Sequence, residues 1–139
     1  MTKVPKYWSK AKKYLSKKDK TIAKLIKNYQ SPSETILTSR KDIFFSLCKS
    51  IIGQQISVVA ANSVFLKFKK ICNNRINAKT VENLTFFQIK KCGLSRQKVL
   101  GIKSLAKKIL DKSFNPRLIN RMSDEEAINY LSNLRQIGR

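Results

Sequence analysis

Apolar residues recur along most of this chain at the spacing of one helix face, and nowhere do they alternate long enough to suggest a strand. The clearest stretch is 40–52. There Phe44, Leu47, Cys48, Ile51 and Ile52 fall at i, i+3, i+4, i+7 and i+8. Gly53 follows, where a helix C-terminus favours a left-handed residue. A second helix is predicted over about 57–72, with Ser57 as N-cap and Val58, Ala61, Val64, Phe65, Phe68 and Cys72 on one side. Residues 78–92 read as one or two short helices, with a capping box at Thr85-x-x-Gln88 and Gly93 as the stop. Ser95 then N-caps a helix over 96–110, with Val99, Ile102, Leu105, Ala106 and Ile109 inward and Lys103 and Lys107 opposite. Gly101 lies inside that helix. Glycine there costs about 1 kcal/mol against alanine, so close approach by a neighbouring element is expected. Ser123-x-x-Glu126 opens a last helix carrying Ala127, Tyr130, Leu131 and Leu134, and Asp124, Glu125 and Glu126 suit its positive end.

The first thirty residues differ in character. They hold ten lysines and one acid. Trp8, Ala11 and Leu15, then Ile22, Leu25, Ile26 and Tyr29, make two short apolar stripes. These predict two short helices broken near Lys17–Lys20. The segment "SPSETILTS" (31–39) reads as a loop, because Pro32 and the β-branched residues outweigh its S-x-x-E pattern. There is no repeat, low-complexity tract or Pro/Gly-rich linker. The predicted fold class is therefore all-α: one helical domain over 1–139, made of Lys-rich helices at 1–30, a main bundle at 40–134 and a final segment at 134–139.

Charge narrows the choice of partner. Thirty Lys and Arg against eight Asp and Glu give a net charge of +22, which points to a polyanion, most simply nucleic acid. Codon bias in an AT-rich genome would raise Lys, Ile and Asn, but it would raise Glu too, and Glu is scarce. The chain has no histidine, so His general bases and His metal ligands are excluded. Its three cysteines, Cys48, Cys72 and Cys92, form no C-x-x-C pair. They read as free, mostly buried thiols of a reducing cytosol and not as a zinc, iron–sulfur or disulfide set. No apolar run approaches the roughly 18–20 residues of a membrane span. No apolar h-region follows the basic N-terminus, so it is not a secretory signal.

Three stretches carry candidate chemistry. "IIGQQIS" (51–57) sets two glutamines at a glycine break between helices. Composition alone reads this as a polar loop, yet glutamine also serves as a minor-groove reader and as a flat, uncharged wedge. "KKCGLSRQK" (90–98) ends one helix at Gly93 and starts another at Ser95, where backbone N–H groups can take a phosphate, with Arg96 and Lys98 adding charge. An ordinary capped helix with solvated basic residues is an equal reading. "LRQIGR" (134–139) reads either as a simple helix C-terminus capped by Gly138 or as the first half of a helix–turn–helix hairpin offering amides to phosphates.

In order and spacing, "FFSLCKSIIGQQIS" (44–57), "CGLSRQKVLGIKSLA" (92–106) and "LSNLRQIGR" (131–139) resemble the helix-hairpin-helix DNA glycosylase superfamily, and within it the DNA-3-methyladenine glycosylase II enzymes. The resemblance covers about 40–139 well and 6–30 loosely. It implies base-excision repair: a damaged base is flipped out and the N-glycosidic bond of an alkylated purine such as 3-methyladenine is hydrolysed. It implies a DNA-binding set made of Gln55 as the intercalating wedge with Gln54 beside it, Ser95, Arg96 and Lys98 near the backbone, and Gly138 in the hairpin. In this superfamily a monovalent cation often assists that last contact. The implied partner is double-stranded DNA with alkylated bases, bound by a monomer in the cytoplasm on a bacterial nucleoid, with no membrane. No cofactor and no resident metal are called for.

The hairpin signature usually reads Leu-x-Gly-Ile-Gly-x-Trp-Thr-Ala, and its Trp and the catalytic Asp would lie beyond Arg139. None of Asp19, Glu34, Asp42, Glu82, Asp111 or Asp124 to Glu126 aligns with that Asp. The expectation is thus a C-terminally incomplete glycosylase domain with no catalytic residue of its own and no excision activity alone, and with Ala127, Leu131 and Leu134 short of partners. Gln136 stands where the hairpin's first glycine is usual. A positive φ there would cost glutamine about 1 kcal/mol or more. The alternatives are a non-catalytic basic DNA- or RNA-binding module and a scaffold protein on ribosomal RNA. The four ligating cysteines of endonuclease III-like enzymes have no match among the cysteines here.

Overall fold

The computed structural model describes residues 6–29 and 42–138, and all regular structure among them is helical. The chain forms two compact units, Met1–Lys41 and Asp42–Arg139. The loop predicted at 31–39 lies outside the described residues.

The first unit holds α1, Trp8–Lys18, and α2, Lys20–Asn28. They part at Asp19, whose backbone is extended and whose carboxylate accepts from the amides of Thr21 at 2.7 Å and Ile22 at 3.0 Å. The one acid of this lysine-rich stretch is thus spent on a helix cap, which satisfies two amides that the helix itself leaves unpaired.

In the second unit each helix begins where a short polar side chain can accept from its first turn. Asp42 caps α3 (Ile43–Gly53), Ser57 caps α4 (Val58–Ile71) and Asn77 caps α5 (Ala78–Asn83). The Thr85–Gln88 capping box opens α6 (Phe86–Lys90), and Ser95 opens α7 (Arg96–Leu110). After a 3-10 turn at Pro116–Arg121, the Ser123–Glu126 box opens α8 (Asp124–Ser132). Hydrogen bonds from the Ser123 amide and hydroxyl hold the Glu126 carboxyl below the usual carboxylate range.

The apolar stripes of the second unit converge on one core. Cys48, Ile51, Ile52, Phe68, Cys72, Val81, Ile89, Val99, Ile102 and Ala106 are wholly enclosed. The three cysteines are free and buried. Burial drives the Cys48 thiol far above its ordinary value, takes Cys72 up to about 11 and raises Cys92 as well. They behave as small neutral hydrophobes, not nucleophiles.

Three expectations change. Gly53 is the last residue of α3 and is not left-handed, whereas Gly93, three residues past the end of α6, is, with φ 99°. The sharp turn after α3 falls instead on Gln55, at φ 56°. Leu134 is not short of partners: it is 5% exposed, and Tyr130 and Leu131 pack against the core with it. Lys103 is not on a solvated face. Its ammonium donates to the carbonyls of Glu82 at 2.8 Å, Leu84 at 2.9 Å and Val81 at 3.4 Å, and so closes the C-terminus of α5. A cation there satisfies carbonyls that the helix leaves unpaired. Lys103→Met, which keeps the stem, is expected to remove about 1–2 kcal/mol. Urea unfolding checks this as a lower midpoint at unchanged slope.

Candidate nucleic-acid interface

The corner between α3 and α4 is built by four residues, Gln54 to Ser57. Gln54 ends α3 in extended backbone, and Gln55 then turns left-handed with its side chain exposed. α3 has no basic residue in its own last turn. Lys98, in the first turn of α7, supplies one from outside: its ammonium donates to the carbonyls of Ile52 at 2.8 Å and Gln54 at 2.7 Å. A cation at a helix C-terminus contributes about 0.3–1 kcal/mol, and up to ~2 when partly buried. Lys98 therefore faces the end of α3, where the resemblance would have it beside the DNA backbone.

The start of α7 forms the second wall. Ser95 Oγ accepts from the Lys98 amide at 3.4 Å. Arg96 is exposed at the first helical position. The third wall is the turn after α8. Leu134 N donates to Leu131 O at 2.9 Å and Ile137 N to Leu134 O at 3.1 Å, with Gln136 between them at φ 67°. The position that the resemblance assigns to a glycine is thus left-handed in this chain, and a glutamine holds it. Two contacts tie this turn to the other walls: Gln54 Nε2 donates to Gln136 O at 2.6 Å, and Arg135 Nη2 donates to Gln97 Oε1 at 2.8 Å.

Gln54, Gln55, Ser95, Gln97, Lys98 and Gln136 line a single open cleft of about 410 Å³. Four of the six residues singled out in the sequence, Gln54, Gln55, Ser95 and Lys98, are thereby brought together. Arg96 and Gly138 are exposed and do not line it. Gln97 was missed, and Gln136 was noted only as a departure from glycine. Neither had a local signal, because a glutamine on the exposed side of a helix or turn looks the same whether it faces solvent or a cleft.

No described carboxylate lines the cleft. Asp19, Asp42 and Glu126 cap helices, Asp111 accepts from the Ser113 amide at 2.9 Å, and Glu82 lies 3.8 Å from Lys103. Asp124 and Glu125 are exposed in the first turn of α8. Among the described residues the cleft is thus a cationic and amide-rich recess lined by no carboxylate, formed where three helix ends meet.

Residues 48–137 match the model of the HhH-GPD superfamily of base excision DNA repair proteins. The chain belongs to that superfamily. It is 30% identical over 137 residues to DNA-3-methyladenine glycosylase 1 of Schizosaccharomyces pombe, a match over 94% of this chain and 59% of the yeast protein. Among solved structures it is similar to the S. pombe 3-methyladenine DNA glycosylase in complex with abasic DNA. There the TM-score is 0.82 at 28% identity, over 94% of this chain and 65% of that one. The 3-methyladenine DNA-glycosylase of Archaeoglobus fulgidus shares the fold, with TM-score 0.70 at 21% identity over 99% of this chain and 54% of its own. The chain spans about three-fifths of the length of these relatives. The matched region of the HhH-GPD model contains all three walls of the cleft.

Proposed function

We propose that this protein works in base-excision repair: it binds duplex DNA at an alkylated purine and turns the damaged base out of the stack. The observation that carries this reading is Gln55. Its side chain stands exposed at the lip of the cleft, on a backbone turn that glutamine adopts only at a cost. A flat side chain so placed can fill the gap that a flipped nucleotide leaves. Extrusion costs a few kcal/mol, least for a damaged base. Arg96, at the start of α7, and the amides around Gly138 would hold phosphates on either side.

The proposed overall reaction is hydrolysis of the N-glycosidic bond, in the substrate range of DNA-3-methyladenine glycosylase II. An alkylated purine such as 3-methyladenine is cationic and leaves readily, and a carboxylate must steady the oxocarbenium-like sugar that remains. With every described carboxylate away from the cleft, the described residues supply grip and wedge but no such group. In binding titrations the chain is expected to prefer a duplex with an abasic-site analogue over an intact one by about tenfold, and Gln55→Ala to lose most of that preference. Equal affinity for both duplexes would overturn the reading. In a parallel assay on methylated DNA, base release by this chain is expected to stay at background. Clear release would show that one of the carboxylates named above reaches the sugar.

A further inference from the structure

We infer that the Gln54 side chain is a brace: by bonding the carbonyl of Gln136 it locks the wedge corner to the turn after α8, so that Gln55 and the hairpin backbone meet a duplex as one unit. The inference rests on the proposed DNA-binding role and changes the part that Gln54 plays in it. By resemblance Gln54 would touch DNA beside the wedge. In the structure its amide N–H is directed into the protein, 2.6 Å from Gln136 O, and the residue is half-buried.

Both ends of this bond need holding. Gln55 and Gln136 each sit at positive φ, 56° and 67°, where a residue with a Cβ is strained. Such backbone persists only when its surroundings over-determine it. At the wedge end the Lys98 ammonium fixes the carbonyls just before Gln55, those of Ile52 and Gln54. At the hairpin end Gln136 lies against Gly101, so closely that a Cβ there would be 2.8 Å from its Cγ, and Arg135 is bonded to Gln97. Gln97, Lys98 and Gly101 all belong to the first half of α7. That helix therefore seats both strained turns, and the Gln54 amide closes the loop between them. A flipped base needs its wedge and its phosphate clamp in fixed register, because the wedge is useful only at the gap that the clamped strand leaves. Gln54 acts through Gln55 and is a positioning residue.

Gln54→Met keeps the length and removes the donor; Gln54→Ala is the second variant, in case the methionine repacks. Without DNA, amide hydrogen exchange at Leu134 and Ile137, which are bonded within the far turn, is expected to quicken about fivefold in both variants, the effect of losing one hydrogen bond. A change confined to the end of α3 would overturn the brace. With a duplex carrying 2-aminopurine beside an abasic-site analogue, the unstacking signal is expected to fall about fivefold in Gln54→Met. Adding that change to Gln55→Ala should lower the signal no further. Additive losses would make Gln54 a DNA contact in its own right and overturn the proposal. If the unaltered chain gave no unstacking signal, the DNA-repair reading would fail, while the exchange result would still decide the brace.

Discussion

Raising the salt from about 50 mM to about 200 mM is expected to weaken binding of this protein to an intact duplex by roughly 10³-fold or more. The reason is the net charge of +22 together with its layout. Ten of the lysines lie within residues 1–30, where the only acid is Asp19, whose carboxylate is engaged in capping α2. Each phosphate that a lysine or arginine neutralises releases a condensed counterion, and about six such pairings give a slope near −5 in log K against log salt. Fluorescence anisotropy across the salt series measures the slope directly. Replacing Lys13 and Lys17, which line a groove between α1 and α2 with Ser9, Lys12, Ser16 and Ile26, should flatten it by about 1 for each phosphate no longer neutralised. A flat salt response in the parent chain would mean that the charge serves something other than a polyanion. A steeper response and tighter binding with duplex RNA than with DNA would favour the RNA-binding alternative. Charge pairing of this kind carries affinity without sequence, whereas damage recognition rests on the neutral amides of the cleft. The preference for a damaged duplex should therefore survive added salt better than the affinity does.

The largest stability effect at a single residue near the site is expected at Gly101. Gly101→Val should remove about 3 kcal/mol, at the upper end of what overpacking costs. A Cβ at this position would stand 2.8 Å from Gln136 Cγ, 3.1 Å from Gln136 Cβ and 3.4 Å from the Arg135 carbonyl oxygen. These atoms lie on or next to the backbone of the turn, so the turn itself must move. Gly101→Ala recovers about 1 kcal/mol of helix propensity and should come out milder. Urea unfolding gives the stability, and the Gln54–Gln136 bond offers a second reading, since displacing the turn breaks it. A Gly101→Val protein as stable as the parent would mean that the turn does not rest on α7.

The helices of this protein were legible in its sequence because the forces that place them are local. Ser57, Ser95 and Ser123 accept from amides three residues away, so a pattern four residues long is enough to reveal a helix start. The 3.6-residue apolar period then marks which faces close the core, as it did for Cys48, Ile52, Val99 and Ile102. The order of three blocks along the chain was enough to point to the superfamily, and the conspicuous Gln54–Gln55 pair lies in the first of them.

What the sequence left open were the contacts between distant residues. Lys98 and Lys103 look alike on a helical wheel, yet one closes α3 and the other α5. Gln54 and Gln136 meet across 82 residues. Leu134 looked unpartnered until the turn after α8 was seen to fold back over Gly101. A long polar or cationic side chain goes wherever packing leaves an unsatisfied carbonyl within its reach, and only the assembled helices determine where those carbonyls lie.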